Sequence, residues 1–83
     1  MTQLERIAAM EAAFDRARAA LAVGDAASPD FPLLAAYMEN GDWLRDYEAD
    51  EAGLLPPDMK RGVLAQDALY DLLAAWDALC RDA

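Results

Sequence analysis

The chain has 83 residues, with 16 acidic and 7 basic side chains and a formal net charge of −9 at pH 7. Its one cysteine excludes an internal disulfide framework, and the lack of histidine removes the most common general base and zinc ligand. The acidic balance disfavours direct binding to a nucleic-acid backbone, whereas abundant alanine and leucine with few β-branched residues predict an all-α protein.

The first predicted element is an amphipathic helix over residues 2–23. Apolar side chains recur there at spacings of three and four residues, which places them on one face. They are Leu4, Ile7, Met10, Phe14, Ala17 and Leu21. The charged residues of the segment, Glu11 among them, fall largely off that face. Thr2 and Glu5 have the spacing of a capping box, and Gly24 suits the left-handed residue that ends a helix.

Two short helices are predicted next. The first runs from about residue 31 to residue 40, because proline is tolerated in the first turn of a helix. Its inward side chains are expected to be Leu33, Leu34, Tyr37 and Met38. The second covers residues 43–52, with Asp42 as its cap and Gly53 at its end. Its apolar contacts are expected to be Trp43, Leu44 and Tyr47.

The last helix is predicted over about residues 65–81, after a single turn that Asp58 caps and Gly62 ends. Cys80 lies on its apolar face, where we expect an inert, buried thiol. The predicted architecture is therefore a small bundle of two long antiparallel helices, at about 2–23 and 65–81, with the two short helices between them. We expect these elements to form one helical domain over residues 1–83.

Two thirds of the net charge lies in residues 39–58, where seven acids stand against Arg45 alone and sum to −6. Because Asp46 and Asp50 are four residues apart, they share one helix face. One interpretation is a structural network of ion pairs, in which Asp50 or Glu51 reaches Lys60 or Arg61 across the Leu-Pro turn. A partner-binding surface and a metal or acid–base site are the alternatives, although the spacing of a calcium loop is missing.

The same part of the chain carries an extended motif. Residues 43–64 read W-L-x-D-Y-E-A-D-E-x-G-x-L-P-x-D-x-K-R-G-V-L, and Asp67, Tyr70 and the Leu72-Leu73 pair continue it. This motif resembles a bacterial family of small helical proteins that is catalogued as domain of unknown function 4298. The resemblance implies a compact, cytoplasmic bacterial protein, and it brings no assigned activity or catalytic residue.

One departure from the family pattern lies at residues 65–66. The family has a serine-type cap followed by an acid at this point, whereas this chain has alanine and glutamine. The start of the last helix is therefore expected to be less well capped than in the family.

The function that these observations favour is a protein–protein interaction or regulatory module with an acidic surface at residues 42–58. Its partner is expected to be another protein with a basic surface, which electrostatic attraction would steer toward the acids. The candidate partner-binding residues are Trp43, Asp46, Tyr47, Glu48, Asp50, Glu51, Lys60 and Arg61. Exposed parts of the two aromatic residues would anchor the partner. We expect the four aromatic residues Trp43, Tyr47, Tyr70 and Trp76 to serve as core anchors rather than as a ligand cage.

Two other classes of function stay open. A nucleic-acid mimic, or an inhibitor or immunity-type protein, requires several carboxylates that are free in solvent. A metal-assisted hydrolase would use Asp46, Asp50 and Glu51, but 83 residues leave little room for a substrate pocket. We therefore expect no enzyme, no catalytic or metal-binding residues and no cofactor.

Two missing sequence features predict where in the cell the protein resides. No apolar run approaches the roughly 20 residues that cross a bilayer, and the first residues do not have the pattern of a signal peptide. We expect a cytoplasmic protein with no membrane contact and no direct contact with nucleic acid. A weak homodimer through the alanine-rich faces of the two outer helices is an alternative to a monomer.

Overall fold

Four α-helices and one short 3₁₀ turn make up the computed structural model, which describes residues 1–82. The helices are α1 (Gln3–Ala22), α2 (Asp30–Glu39), α3 (Asp42–Glu51) and α4 (Ala68–Asp82), and the 3₁₀ turn covers Gly62–Leu64. The described residues contain no β-strand, which confirms the all-α prediction. The antiparallel direction of α1 and α4 stays a prediction, and Ala83, part of the predicted domain, lies outside the described residues.

Both ends of α1 form as predicted. The hydroxyl of Thr2 accepts a hydrogen bond from the Glu5 amide at 3.2 Å, and the Glu5 carboxylate accepts one from the Thr2 amide at 2.9 Å. At the other end, Gly24 adopts a φ of +73°, and the Asp25 amide donates back to the Ala20 carbonyl at 2.8 Å. The backbone groups that a helix end leaves unpaired are therefore satisfied locally.

The start of α3 differs from the prediction. Asp42 does not cap this helix but is its first residue, and Gly41 stands at the cap position with a φ of +90°. The side-chain oxygen of Asn40 accepts a hydrogen bond from the Asp42 amide at 2.8 Å. Because an asparagine side chain readily bonds the backbone two residues further on, Asn40 and Gly41 together turn the chain from α2 into α3.

The segment between α3 and α4 also differs from the prediction. Asp58 lies in a turn of its own, and the 3₁₀ turn forms later, over Gly62–Leu64. The last helix begins at Ala68, three residues after the predicted start. Asp67 has a left-handed φ of +73°, and Ala65 is extended with a ψ of 137°, so neither residue has helical backbone. Neither alanine nor glutamine, at residues 65 and 66, is a favoured N-cap residue, which agrees with the later start.

The core lies between α1, α2, α4 and the 3₁₀ turn. Helix α1 contacts the other three elements, and α4 contacts α2 and the 3₁₀ turn. Phe31 of α2 is fully buried and stacks on Trp76 of α4, with 5.2 Å between the ring centroids and 6° between the ring planes. The indole N–H of Trp76 donates to the Ala26 carbonyl at 3.0 Å. This pair fixes the middle of α4 beside the connection between α1 and α2.

Several apolar side chains that were predicted to point inward are exposed. Leu33, Leu44 and Tyr70 keep 44%, 53% and 66% of their surface in solvent, and Cys80 is also exposed. Only one face of a ten-residue helix packs against its neighbours. In α2 that face carries Phe31 and the residues three and six positions after it. In α4 the buried residues lie in the first half, so the thiol near its end was wrongly predicted to be buried.

No helix among residues 1–82 combines the length and the apolar character that a membrane crossing requires.

We predict that Phe31→Ala lowers the free energy of unfolding by about 3 kcal/mol, because it leaves a cavity beside Trp76. Leu33→Ala on the same helix is the matched control, and its effect should stay below about 1 kcal/mol, since the side chain is half exposed. Urea denaturation followed by circular dichroism measures both values. Similar losses for the two variants would contradict the packing described here.

Candidate functional site

The carboxylate of Asp46 is the most highly connected charged group of the acidic segment. Its side chain is fully buried, and the Arg6 guanidinium donates to its two oxygens at 3.0 and 2.5 Å. The amide of Gln3 donates to Oδ1 at 3.0 Å, and the hydroxyl of Tyr37 donates to Oδ2 at 2.6 Å. Asp46 was predicted to bind a partner. Because its side chain is fully buried, it cannot contact one.

The hydrogen bonds around Asp46 also set its ionisation. Burial alone would raise the pKa of this carboxyl, but the bonds donated by Arg6, Tyr37 and Gln3 outweigh burial and hold its pKa below the ordinary value of 3.8. Burial and the bond to Asp46 raise the pKa of the Tyr37 hydroxyl, and the same carboxylate raises the pKa of Arg6. At neutral pH, Asp46 is therefore a charged carboxylate, Arg6 is a charged guanidinium and Tyr37 is a neutral phenol.

Several other acids of the chain also form ion pairs with arginines. Asp50 meets Arg61 at 3.1 Å, as the sequence predicted, and this pair ties the end of α3 to the residues before the 3₁₀ turn. Asp42 pairs with Arg45 within α3. Outside the acidic segment, both side-chain oxygens of Asp30 accept hydrogen bonds from Arg16 at 3.0 to 3.2 Å. The bond from Arg16 lowers the pKa of the Asp30 carboxyl.

Glu11 also supports the fold, although the sequence pattern placed it off the apolar face of α1. It is only 8% exposed, and its Oε1 accepts a hydrogen bond from the Val63 amide at 3.0 Å. A Cβ at Gly62 would come within 3.2 Å of that oxygen, so the glycine leaves the space that the carboxylate occupies. No local sequence signal marks this contact, because the two partners are 52 residues apart.

Glu48 and Glu51 are the acids of α3 that remain exposed, and neither has a basic partner within residues 1–82. Lys60 is exposed and likewise has no acidic partner in this part of the chain. It lies in a different groove, which it shares with Met59 and with residues of α1. The eight predicted site residues therefore do not form one surface.

Beside these acids lies an open cleft of about 350 Å³, which we call the aromatic groove. Its lining consists of Met38, Trp43, Leu44, Tyr47, Gln66, Asp67 and Tyr70. Trp43 and Tyr47 are half-buried and stack with 5.0 Å between their ring centroids and 16° between their planes. The indole N–H of Trp43 donates to the Val63 carbonyl at 2.9 Å, which holds the stacked pair against the 3₁₀ turn.

The groove carries negative charge. Asp67 is exposed, has no basic partner among the described residues, and sits on the left-handed backbone that precedes α4. The charge of Glu51, helped by those of Asp50 and Asp67, raises the pKa of the Tyr47 hydroxyl. These carboxylates therefore act on the atoms that line the groove.

The groove was only partly visible in the sequence. Trp43 and Tyr47 were predicted to belong to the site, whereas Leu44 and Tyr70 were expected in the core. Asp67 was named as part of the motif but not as a site residue. Within residues 1–82, no three acidic or cysteine side chains come together in an arrangement that could hold a metal ion. The chemistry available in the groove is thus apolar and aromatic contact together with attraction of a cation.

Comparison with known proteins identifies a family. The family described as "Domain of unknown function (DUF4298)" matches residues 2–82 of the chain. No curated protein and no solved structure matches the chain.

We predict that Asp46→Asn destabilises the fold by about 3 kcal/mol at pH 7. The substitution removes the counter-charge of Arg6, whose side chain is largely buried. Since the pKa of Asp46 is lowered on folding, its contribution is present above pH 4 and disappears as the pH falls through the folded-state pKa. The difference between wild type and variant should therefore shrink from pH 7 to pH 3 in urea denaturation.

Asp77→Asn is the control for this prediction, because Asp77 forms an exposed pair with Arg81 and should leave stability unchanged. A difference between wild type and Asp46→Asn that is the same at pH 7 and pH 3 would contradict the assigned role of the charge.

Proposed function

The chain belongs to the DUF4298 family, and we propose that it is a protein–protein interaction module whose aromatic groove binds a basic segment of a partner protein. The observation that carries this proposal is the combination of exposed apolar side chains and one unpaired acid in a single cleft. Leu44 and Tyr70 offer apolar surface, and Asp67 offers a charge that no described residue neutralises. An interface centre of this kind typically contains aromatic anchors, which Trp43 and Tyr47 would supply.

Electrostatics favours a basic partner. The chain carries a net charge of −9, and the acids near the groove, Glu48, Glu51 and Asp67, have no ion pair within residues 1–82. Free charges at the rim of an interface accelerate the encounter with an oppositely charged surface and suppress wrong partners. A basic segment would therefore be attracted to this side of the molecule before apolar contacts form.

The proposed binding surface is smaller than the one expected from the sequence. Asp46 is buried and Asp50 is paired with Arg61, so both acids serve the fold. Lys60 lies in another groove. The proposal therefore keeps Trp43, Tyr47, Glu48 and Glu51 and adds three residues of the groove, which are Leu44, Asp67 and Tyr70.

The other functions that the sequence left open are weaker, because part of the acidic segment supports the fold. A nucleic-acid mimic needs a row of free carboxylates, and three of the seven acids in residues 39–58 are engaged by arginines. An inhibitor of a basic enzyme would be one form of the proposed module. The expectations of a cytoplasmic, non-enzymatic protein without cofactor remain predictions, as does the weak homodimer.

The proposal is tested by capture from a lysate of the source organism on immobilised full-length chain. We expect the wild-type chain to capture a specific set of proteins with basic surfaces. The amount of captured protein should fall about fivefold with Asp67→Asn or Leu44→Ser. Asparagine tolerates the left-handed backbone at residue 67, so the first variant removes charge without disturbing the turn. Raising the salt from about 50 to about 300 mM should weaken capture, because exposed charges are screened.

Matched controls for this experiment are Asp58→Asn, which removes a charge outside the groove, and Leu54→Ser, which removes an exposed leucine outside it. Both should capture the same proteins as wild type. If the controls reduce capture as strongly as the groove variants, or if no protein depends on the groove residues, the proposed function is wrong.

A further inference from the structure

We propose that the aromatic groove is a receptor for an arginine side chain, whose guanidinium packs against the aromatic rings and pairs with Asp67. This inference rests on the proposed function, and it names the chemical group of the partner that the groove selects. Three features of the groove lead to it: its rings, its single lining charge and its fixed shape.

The rings provide the contact surface. Three of the seven lining residues are aromatic, and Tyr70 has two thirds of its surface in solvent. Cations are attracted to the faces of tryptophan and tyrosine rings, and arginine makes such contacts more often than lysine because its planar guanidinium stacks on a ring. The chain itself contains an example, since the guanidinium of Arg18 lies 5.6 Å from the centroid of the Phe14 ring.

The charge that lines the groove has one sign. Asp67 is the ionised residue of the lining, and no base belongs to the lining described here. Asp67 lines the same groove as the three rings, and a carboxylate can accept two hydrogen bonds from one guanidinium. A negative charge next to aromatic faces is the complement of a cation that carries flat, apolar faces.

The shape of the groove is set before any partner binds. The bond from the Trp43 indole to the Val63 carbonyl fixes the stacked pair, and the left-handed backbone at Asp67 turns the chain into α4. A binding site that is already ordered loses less conformational entropy when it takes up a ligand. The groove has a volume of about 350 Å³. This volume lies at the lower end of the range of small-ligand pockets, about 300–1,000 Å³, and therefore suits a ligand as small as one side chain.

Leu44 and Met38 extend the groove with apolar surface beyond the rings. An isolated cation would leave this surface uncovered, whereas a peptide with aliphatic residues beside its arginine would cover it. The inferred ligand is therefore a short segment in which arginine alternates with aliphatic residues.

The experiment titrates the ¹⁵N-labelled full-length chain with three acetylated and amidated hexapeptides and follows the spectrum by NMR. The first alternates leucine and arginine, the second carries citrulline in place of arginine, and the third carries lysine. Citrulline has nearly the shape of arginine but no charge. We expect the arginine peptide to shift the Trp43 indole and Tyr70 amide signals and to bind about fivefold or more tightly than either counterpart.

Variants then locate the contact. Asp67→Asn and Tyr70→Leu should each weaken binding of the arginine peptide about fivefold, whereas Asp58→Asn should leave it unchanged. The ¹⁵N spectrum of each variant also reports whether it has kept the wild-type fold.

Each other outcome overturns the inference. Equal binding of the citrulline or lysine peptide removes the selection for arginine, and shifts confined to residues outside the groove remove the site. If no peptide binds while lysate capture still depends on Asp67 and Leu44, the arginine receptor is wrong and the proposed function stands. If capture does not depend on the groove either, both are wrong.

Discussion

The carboxylate of Asp46 lies on α3 but receives hydrogen bonds from Gln3 and Arg6 of α1 and from Tyr37 of α2. Removing a charge from water is costly, and the cost is offset only when the charge is paired and its lone pairs are satisfied. Here every oxygen has at least two donors, so the buried charge is tolerated. The same donors fix where the first half of α1 crosses α2 and α3, and this arrangement positions every residue that α3 presents outward.

The position of the aromatic groove follows from that arrangement. With Asp46 and Ala49 turned into the molecule, α3 presents Leu44 and Glu48 to solvent and leaves Trp43 and Tyr47 half-covered at the edge. The 3₁₀ turn then supplies the carbonyl that holds Trp43, and the late start of α4 brings Asp67 and Tyr70 beside the stacked rings. The acidic segment is thus divided into acids that support the fold, such as Asp46 and Asp50, and acids that stay exposed to solvent, such as Glu48 and Glu51.

Much of the fold could be predicted from the sequence because its signals are local. The capping box at Thr2, the glycine after α1 and the pairing of Asp50 with Arg61 all depend on residues that are close along the chain. The interactions that were missed depend on distant partners: Arg6 is 40 residues from Asp46, and Glu11 is 52 residues from Val63. A charged residue on a helix gives no local indication of whether a counter-charge from another helix will bury it. The groove was half predicted for the same reason, since the exposure of Leu44 and Tyr70 depends on how three elements meet.

The claim that the Asp46 pair joins the helices is tested most directly by a double-mutant cycle. The free energy of unfolding is measured at pH 7 for wild type, Arg6→Met, Asp46→Leu and the double variant. Our account predicts that the double variant loses less stability than the sum of the two single losses, with a coupling of about 2 kcal/mol or more, because each single variant strands a desolvated charge. Additive losses, with a coupling below about 0.5 kcal/mol, would contradict it.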